Sequence, residues 1–459
     1  MFHRSTVFSV LSVLALATML LAACAPAATT PAPTAQVVKE TVQVPVQQTV
    51  VVQQTVVSEK LITPTPAPTG PVTITFWHAY NADVETKFLE GTIIPAFEAK
   101  YPNIKVQAVN VPYDQFRRKL LVAMSGGTAP DLARIDIIWA PELADQGALA
   151  QLDVELPDFA TLKDTFLPGP LSTNYYNGHY YGLPLDTNTR VLVYNKDMFK
   201  AAGIANPPAT TDEFMADCAK IKALGANKWC FADGGTYAWA VNPWIWSFGG
   251  DVTDAGITKS SGVYNGAATV AAYQFLKDGI DKGYINPAIA GGGIDTWGGM
   301  GKDEIAMILE GPWFPPSFES QFPGKAYGLA PMPAGPGGSI SVVGGEDIVM
   351  FQQSQQKAAA AEFMRFMDSM DVQLQWAAKG QMPVLKAAAD TDAIKNHPFF
   401  GIFMQQLATA KARTPHPNWS KVEEIMTNEG AAILTGKIGV QAGLDAAVKQ
   451  IDPLLAPAQ

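Results

Sequence analysis

Val72-Thr73-Ile74-Thr75-Phe76-Trp77 places its bulky apolar side chains on alternate positions, the pattern of a β-strand with one buried face. A helical stretch follows to about Lys100, interrupted at Pro95. Then come a strand near Ile104 to Val109, a helix near Tyr113 to Met124 that stops at Gly126-Gly127, and a strand near Leu132 to Ile138. Strands alternating with helices specify a mostly parallel sheet flanked by helices on both faces. The same grammar resumes with a strand at Val191, a helix over Thr211 to Leu224, and strands at Ile305 to Leu309 and Ala326 to Ala330. The last third reads as helices over Lys357 to Met370, Pro398 to Lys411, Trp419 to Leu434 and Val440 to Ile451. From Val72 to the C-terminus the chain is longer than a single core usually grows, so two α/β lobes are expected. Ligand chemistry belongs in the crevice at the C-terminal ends of their strands.

The chain upstream of Val72 reads differently. Arg4 precedes an uncharged apolar run from Val7 to Leu21, and Leu21-Ala22-Ala23-Cys24 follows. A basic start, a short apolar core and small residues make a secretory signal. The run falls short of the roughly 20 apolar residues that span a bilayer. Leu-Ala-Ala-Cys resembles the lipobox of bacterial lipoproteins, which implies a signal peptide over 1–23 and a lipidated Cys24 as the first mature residue. Two acyl chains anchor stably where one binds only marginally. Residues 24–71 are dominated by Pro, Thr, Val and Gln, with Val-(Lys/Gln)-(Glu/Gln)-Thr-Val recurring at Val38, Val46 and Val52. Such a tract cannot bury enough apolar surface to fold alone and is expected to be a disordered stalk.

Across the whole chain, 48% of residues are hydrophobic, 16% are charged and the net charge is -10. An acidic balance without a Lys/Arg cluster argues against nucleic acid or anionic lipid as the main partner. Of three cysteines, Cys218 and Cys230 remain once Cys24 is lipidated, and outside the cytoplasm such a pair is expected to form a disulfide. The five histidines form no metal-ligand motif, and there is no Cys-x-x-Cys pair, nucleophile elbow or phosphate-binding loop. Nothing in the sequence asks for catalysis, a metal or a cofactor. What it does carry is tryptophan near polar residues, Gly and Pro, as in Trp244-Ile245-Trp246 and Glu310-Gly311-Pro312-Trp313. Aromatic rings stack on the C–H face of a sugar while carboxylates and amides take its hydroxyls.

Ile74-Thr-Phe-Trp-His78, Gly126-Gly-Thr-Ala-Pro-Asp131, Tyr181-Gly-Leu-Pro184, Asn188-Thr-Arg-Val-Leu-Val-Tyr-Asn-Lys196, Glu310-Gly-Pro-Trp313, Tyr327-Gly-Leu-Ala-Pro-Met-Pro333 and Val343-Gly-Gly-Glu346 follow one another in order. This series resembles the family 1 extracellular solute-binding proteins, the maltose- and glycerol-3-phosphate-binding type that serve ABC importers. The resemblance implies a two-lobed periplasmic-binding-protein fold, type II-like, that closes on its ligand about a hinge. It places one lobe at 72–184 plus 331–380 and the other at 185–330 plus 381–459, with crossings near Pro184 to Asp186, Ala330 to Pro333 and Lys379 to Pro383. By the same analogy the ligand would meet Trp77, His78, Asn81, Asp136, Trp139, Asp186, Asn188, Trp244, Trp246 and Trp313, with Gly345, Glu346, Asp347 and Arg413 completing the set. Asp136 has an alternative reading as a strand-end carboxylate that caps the next helix, and His78 as a packing residue.

The function implied is a monomeric carbohydrate receptor, lipid-anchored outside the cytoplasmic membrane, that delivers its sugar to the transmembrane subunits of an ABC importer. A polyol-phosphate receptor of the same fold would need several cations, of which Arg413 and Arg190 are candidates. A metal-ion receptor would draw on Tyr175-Tyr176 and Tyr180-Tyr181. An anchored glycan-active enzyme is the third alternative.

Overall fold

The computed structural model describes residues 70–81 and 83–456. The signal peptide, Cys24 and the stalk up to residue 69 lie outside the described residues. Among the described residues there are twelve strands: β1 (Val72–His78), β2 (Ile104–Asn110), β3 (Leu132–Asp136), β4 (Tyr175–Tyr176), β5 (His179–Tyr180), β6 (Gly182–Thr189), β7 (Val191–Asn195), β8 (Trp229–Phe231), β9 (Ile305–Glu310), β10 (Tyr327–Ala330), β11 (Val342–Met350) and β12 (Lys411–Ala412). The first sheet runs β12-β11-β3-β1-β2, with β6 also pairing β11; the second runs β10-β7-β9-β8. Helices flank both.

Parallel pairing joins β1 to β2 and β1 to β3, as the strand–helix alternation of the first segment requires. Both sheets also carry antiparallel strands. β11 runs antiparallel to β3 and β6, and β7 antiparallel to β9 and β10. The reason is topological: β6 leads directly into β7 through Arg190, so one extended stretch leaves the first sheet and enters the second without a helix to turn it around. The first sheet keeps β6 through Thr189, which pairs with Val343, so this crossing lies beyond the expected Pro184 to Asp186. The return passage lies between Ala330, the end of β10, and Val342, the start of β11. β12, from the segment expected in the second lobe, adds to the first sheet beside Val342 and Val343.

The helix predicted over Tyr113 to Met124 runs Tyr113–Ser125 and buries Phe116, Leu120 and Ala123, a spacing of about one turn per contact. Asp131 ties β1 down, accepting hydrogen bonds from the Thr75 N–H and hydroxyl and from the Ser354 hydroxyl. Cys218 on the helix Thr211–Lys222 is disulfide-bonded to Cys230 on β8, and both are fully buried. Among the described residues no helix is long and apolar enough to cross a membrane.

Candidate functional site

Between the two sheets lies a cavity of about 450 Å³. Its walls are built from strand ends and from the loops that follow them, where the backbone stops pairing and side chains are free to converge.

On the side of the first sheet, Arg134 of β3 sits between two carboxylates. Its Nη2 lies 2.9 Å from Asp186 Oδ2 on β6 and 2.9 Å from Glu346 Oε2 on β11. The ladder makes this meeting possible, because Glu346 is the register partner of Asp136 on one side and of Asp186 on the other. The Arg134 guanidinium also covers the Tyr80 ring at 4.1 Å. Burial pushes the Glu346 carboxyl well above its usual range; Arg134 opposes the shift and Asp186 adds to it. At the end of β3, Asp136 accepts from Ile138 N at 3.1 Å and from the Tyr113 hydroxyl at 2.6 Å, and pairs with Arg413 just after β12. It therefore caps the short helical turn Ile137–Trp139 and also lines the cavity.

The facing wall is aromatic. Trp239 and Trp313 stack with centroids 6.2 Å apart at 27°, and both rings are partly exposed to the cavity. Trp297 donates from Nε1 to Glu310 Oε1 at 2.8 Å, which fixes its indole edge. Burial raises the Glu310 carboxyl above its usual value, against the pull of nearby Arg190. Arg190 itself is buried and donates to Asp233 at 2.8 Å, to the Trp239 carbonyl at 3.1 Å and to the Leu309 carbonyl. Across the mouth, Asn81 Nδ2 donates to Ser317 Oγ at 3.2 Å.

Of the residues expected at the site, the structure brings Asn81, Asp136, Asn188, Trp313, Gly345, Glu346 and Arg413 to the cavity wall. The other expected residues are placed elsewhere. Trp244 is fully buried, packed edge-on against Phe214 and Phe231, and Trp246 is buried with its Nε1 on Asp251. Trp239 is the second residue of the same helix, Ala238–Ser247, and the five-residue step from it to Trp244 turns the two side chains well apart around the axis. Asp347 neighbours Glu346 on β11 and so faces the opposite side of the sheet, where Thr173 and Asn174 donate to it. His78 is completely buried between Phe76 and Tyr80, and burial holds its pKa at about 3, with Arg134 adding to the effect. Trp77 packs edge-on against Phe116, and Trp139 lies under Tyr113 and Phe116. Asp186 serves the cavity indirectly, by holding Arg134.

Sequence reasoning did not name Tyr113, Arg134, Trp239 and Trp297 among the ligand contacts, although all line the cavity, and it offered Glu310 only as part of the segment ending at Trp313. A signal was available for Trp239. It begins the helix that follows the loop after β8, and strand–loop–helix junctions are where α/β folds expose ligand contacts. The tyrosines of the β4–β5 hairpin, Tyr175 and Tyr180, pack on each other away from the cavity.

Comparison with known proteins gives a consistent result. A family model described as bacterial extracellular solute-binding protein matches residues 82–374. The chain is 32% identical over 390 residues to a putative binding protein of Brucella abortus (strain 2308), covering 82% of this chain and 91% of that protein. It is 27% identical over 318 residues to the arabinooligosaccharide-binding protein of Bacillus subtilis (strain 168), covering 65% and 69% of the two chains. A solved ABC transporter solute-binding protein from Thermotoga lettingae TMO, bound with α-D-tagatose, superposes with a TM-score of 0.76 at 26% identity, covering 84% of this chain and 100% of that one.

Proposed function

Because the chain belongs to the bacterial extracellular solute-binding protein family, we propose that its cavity holds a neutral carbohydrate, which the protein hands to the transmembrane subunits of an ABC importer. One observation carries this reading: an aromatic wall of Trp239, Trp313 and Trp297 faces a wall of carboxylates and guanidiniums that are already paired with each other. Indole faces suit the C–H surface of a pyranose or furanose ring, and fixed polar groups suit its hydroxyls. The cavity volume of about 450 Å³ falls within the usual span of small-molecule sites.

The paired charges weigh against a phosphorylated ligand. Arg134 is held by Asp186 and Glu346, Arg190 by Asp233 and Arg413 by Asp136, so a phosphate would meet guanidiniums whose charge is already balanced by carboxylates. The tyrosines that a metal-ion receptor would draw on sit on the β4–β5 hairpin, where Tyr175 packs on Tyr180, and do not line the cavity, which favours a sugar over an ion as cargo. A carrier of this kind needs only a closed state that the ligand favours, and the passages Thr189 to Val191 and Ala330 to Val342 are where such closure would bend. We place the working protein outside the cytoplasm, tethered through a lipid on Cys24, and acting without turnover.

The experiment is native mass spectrometry of the freshly purified mature protein, followed by calorimetry against neutral mono-, di- and trisaccharides with product analysis. A bound sugar released intact supports the receptor. Conversion of any of these sugars would replace it by an enzyme, and binding of glycerol 3-phosphate alone would replace it by the phosphate receptor.

A further inference from the structure

Trp239 hangs from the second sheet, through the loop after β8, yet its ring lies against the backbone of the first. A Cβ placed on Gly344 of β11 would fall 2.5 Å from Trp239 Cζ3, and closer still to Asn188 Oδ1 of β6. No side chain fits there, so the glycine is the slot and the indole fills it. A Cβ on Gly345 beside it, where φ is +146°, would fall 2.4 Å from the Asp186 carbonyl oxygen, so the two hinge strands run backbone to backbone here. Two guanidiniums hold the indole in place: Arg413, tied to Asp136, has its Cζ 5.4 Å from the ring centroid, and Arg190 lies at 5.9 Å while bonding the Trp239 carbonyl. The other partner of the ring is Trp313, stacked beside it on the cavity wall.

We infer that Trp239 is the positioning residue that sets the aromatic wall against the hinge strands, and that Gly344 is what permits its seat. The contact joins a ring facing the cavity to the two strands, β6 and β11, that lead between the sheets. A side chain at 344 would displace the indole into the cavity or part the walls. The contact thereby ties the two walls to each other, and a ring stacked on Trp239 and Trp313 would press on the hinge itself. That last step depends on the carbohydrate reading proposed above, whereas the seat of Trp239 does not.

The test is therefore made without sugar. Spin labels on Asn103→Cys and Lys282→Cys, exposed positions beyond the first and second sheets respectively, report the distance between the two lobes in the full mature chain. Trp239→Ala and Gly344→Ala are each expected to lose most of the short-distance population and to broaden the distribution. Tyr175→Ala, a half-exposed aromatic on the β4–β5 hairpin, is expected to leave it unchanged. If Trp239→Ala does not fold, Trp239→Phe removes the part of the ring over Gly344 and reads the same contact. Superimposable distributions for the parent, the Gly344→Ala variant and a folded Trp239 variant overturn the inference and leave the carbohydrate reading standing. Failure of every sugar to bind, with these shifts present, would do the reverse.

Discussion

Arg413 places Nη2 2.7 Å from Oδ1 of Asp136, although 277 residues separate the two in the chain. Both are buried, and both line the cavity. Asp136→Ala leaves the Arg413 charge buried without its partner, and breaking such a pair costs about 3–5 kcal/mol. Replacing both residues by apolar side chains of similar volume should cost much less. Urea denaturation of the single and double variants measures the difference; equal losses in both would show that the pair is not coupled.

The tryptophans separate into two kinds. Trp313→Ala removes a cavity face and should weaken sugar binding by about 1–3 kcal/mol, with little change in the melting curve. Trp244→Ala should do the opposite, because a fully buried ring leaves a cavity in the core and costs about 3–5 kcal/mol of stability. Calorimetry and thermal melting on the two proteins check this; a Trp244→Ala protein that melts like the parent but binds weakly would contradict the placement.

His78 makes stability depend on pH in a definite direction. Its ordinary value is 6.5, and burial holds it at about 3 in the folded protein, so between these values the unfolded chain takes up a proton that the native protein refuses. Stability is thus unaffected by this group above its unfolded value and is lost as pH falls through that window, by up to about 1.4 kcal/mol per pH unit. His78→Phe, set among Phe76 and Tyr80, removes the dependence. Glu85 and Glu346, whose pKa values are raised by burial, titrate in both proteins and cancel in the comparison. The difference in unfolding free energy between parent and variant, measured at about pH 7, 5.5 and 4.5, should change by the stated slope; a constant difference would mean that His78 ionises normally.

The proposed anchor at Cys24 predicts where the protein is found. Cys24→Ser should abolish lipid labelling and either release the mature chain from the membrane or leave the signal attached. Fractionation with a tagged protein is sufficient, and a cleaved variant that stays with the membrane would refute the anchor.

Periodicity made the strand at Val72 and the helix at Tyr113 legible, because alternation and turn spacing depend on neighbours a few residues apart. The order of short motifs was enough to identify the family, and the Cys218–Cys230 bond followed from two cysteines in an oxidising compartment. Which tryptophans face the cavity was a different matter. Trp239, Trp244 and Trp246 share one short helix, and choosing among them requires knowing the face that the helix turns to Phe214 and Phe231. Glu346 and Asp347 likewise part company only because strand pairing puts one beside Arg134 and the other behind the sheet. Local pattern and compartment were written in the chain. The meeting of Arg134, Asp186 and Glu346, and the seat of Trp239 on Gly344, depend on strand register and on which walls face each other, and those are settled only when distant segments pack.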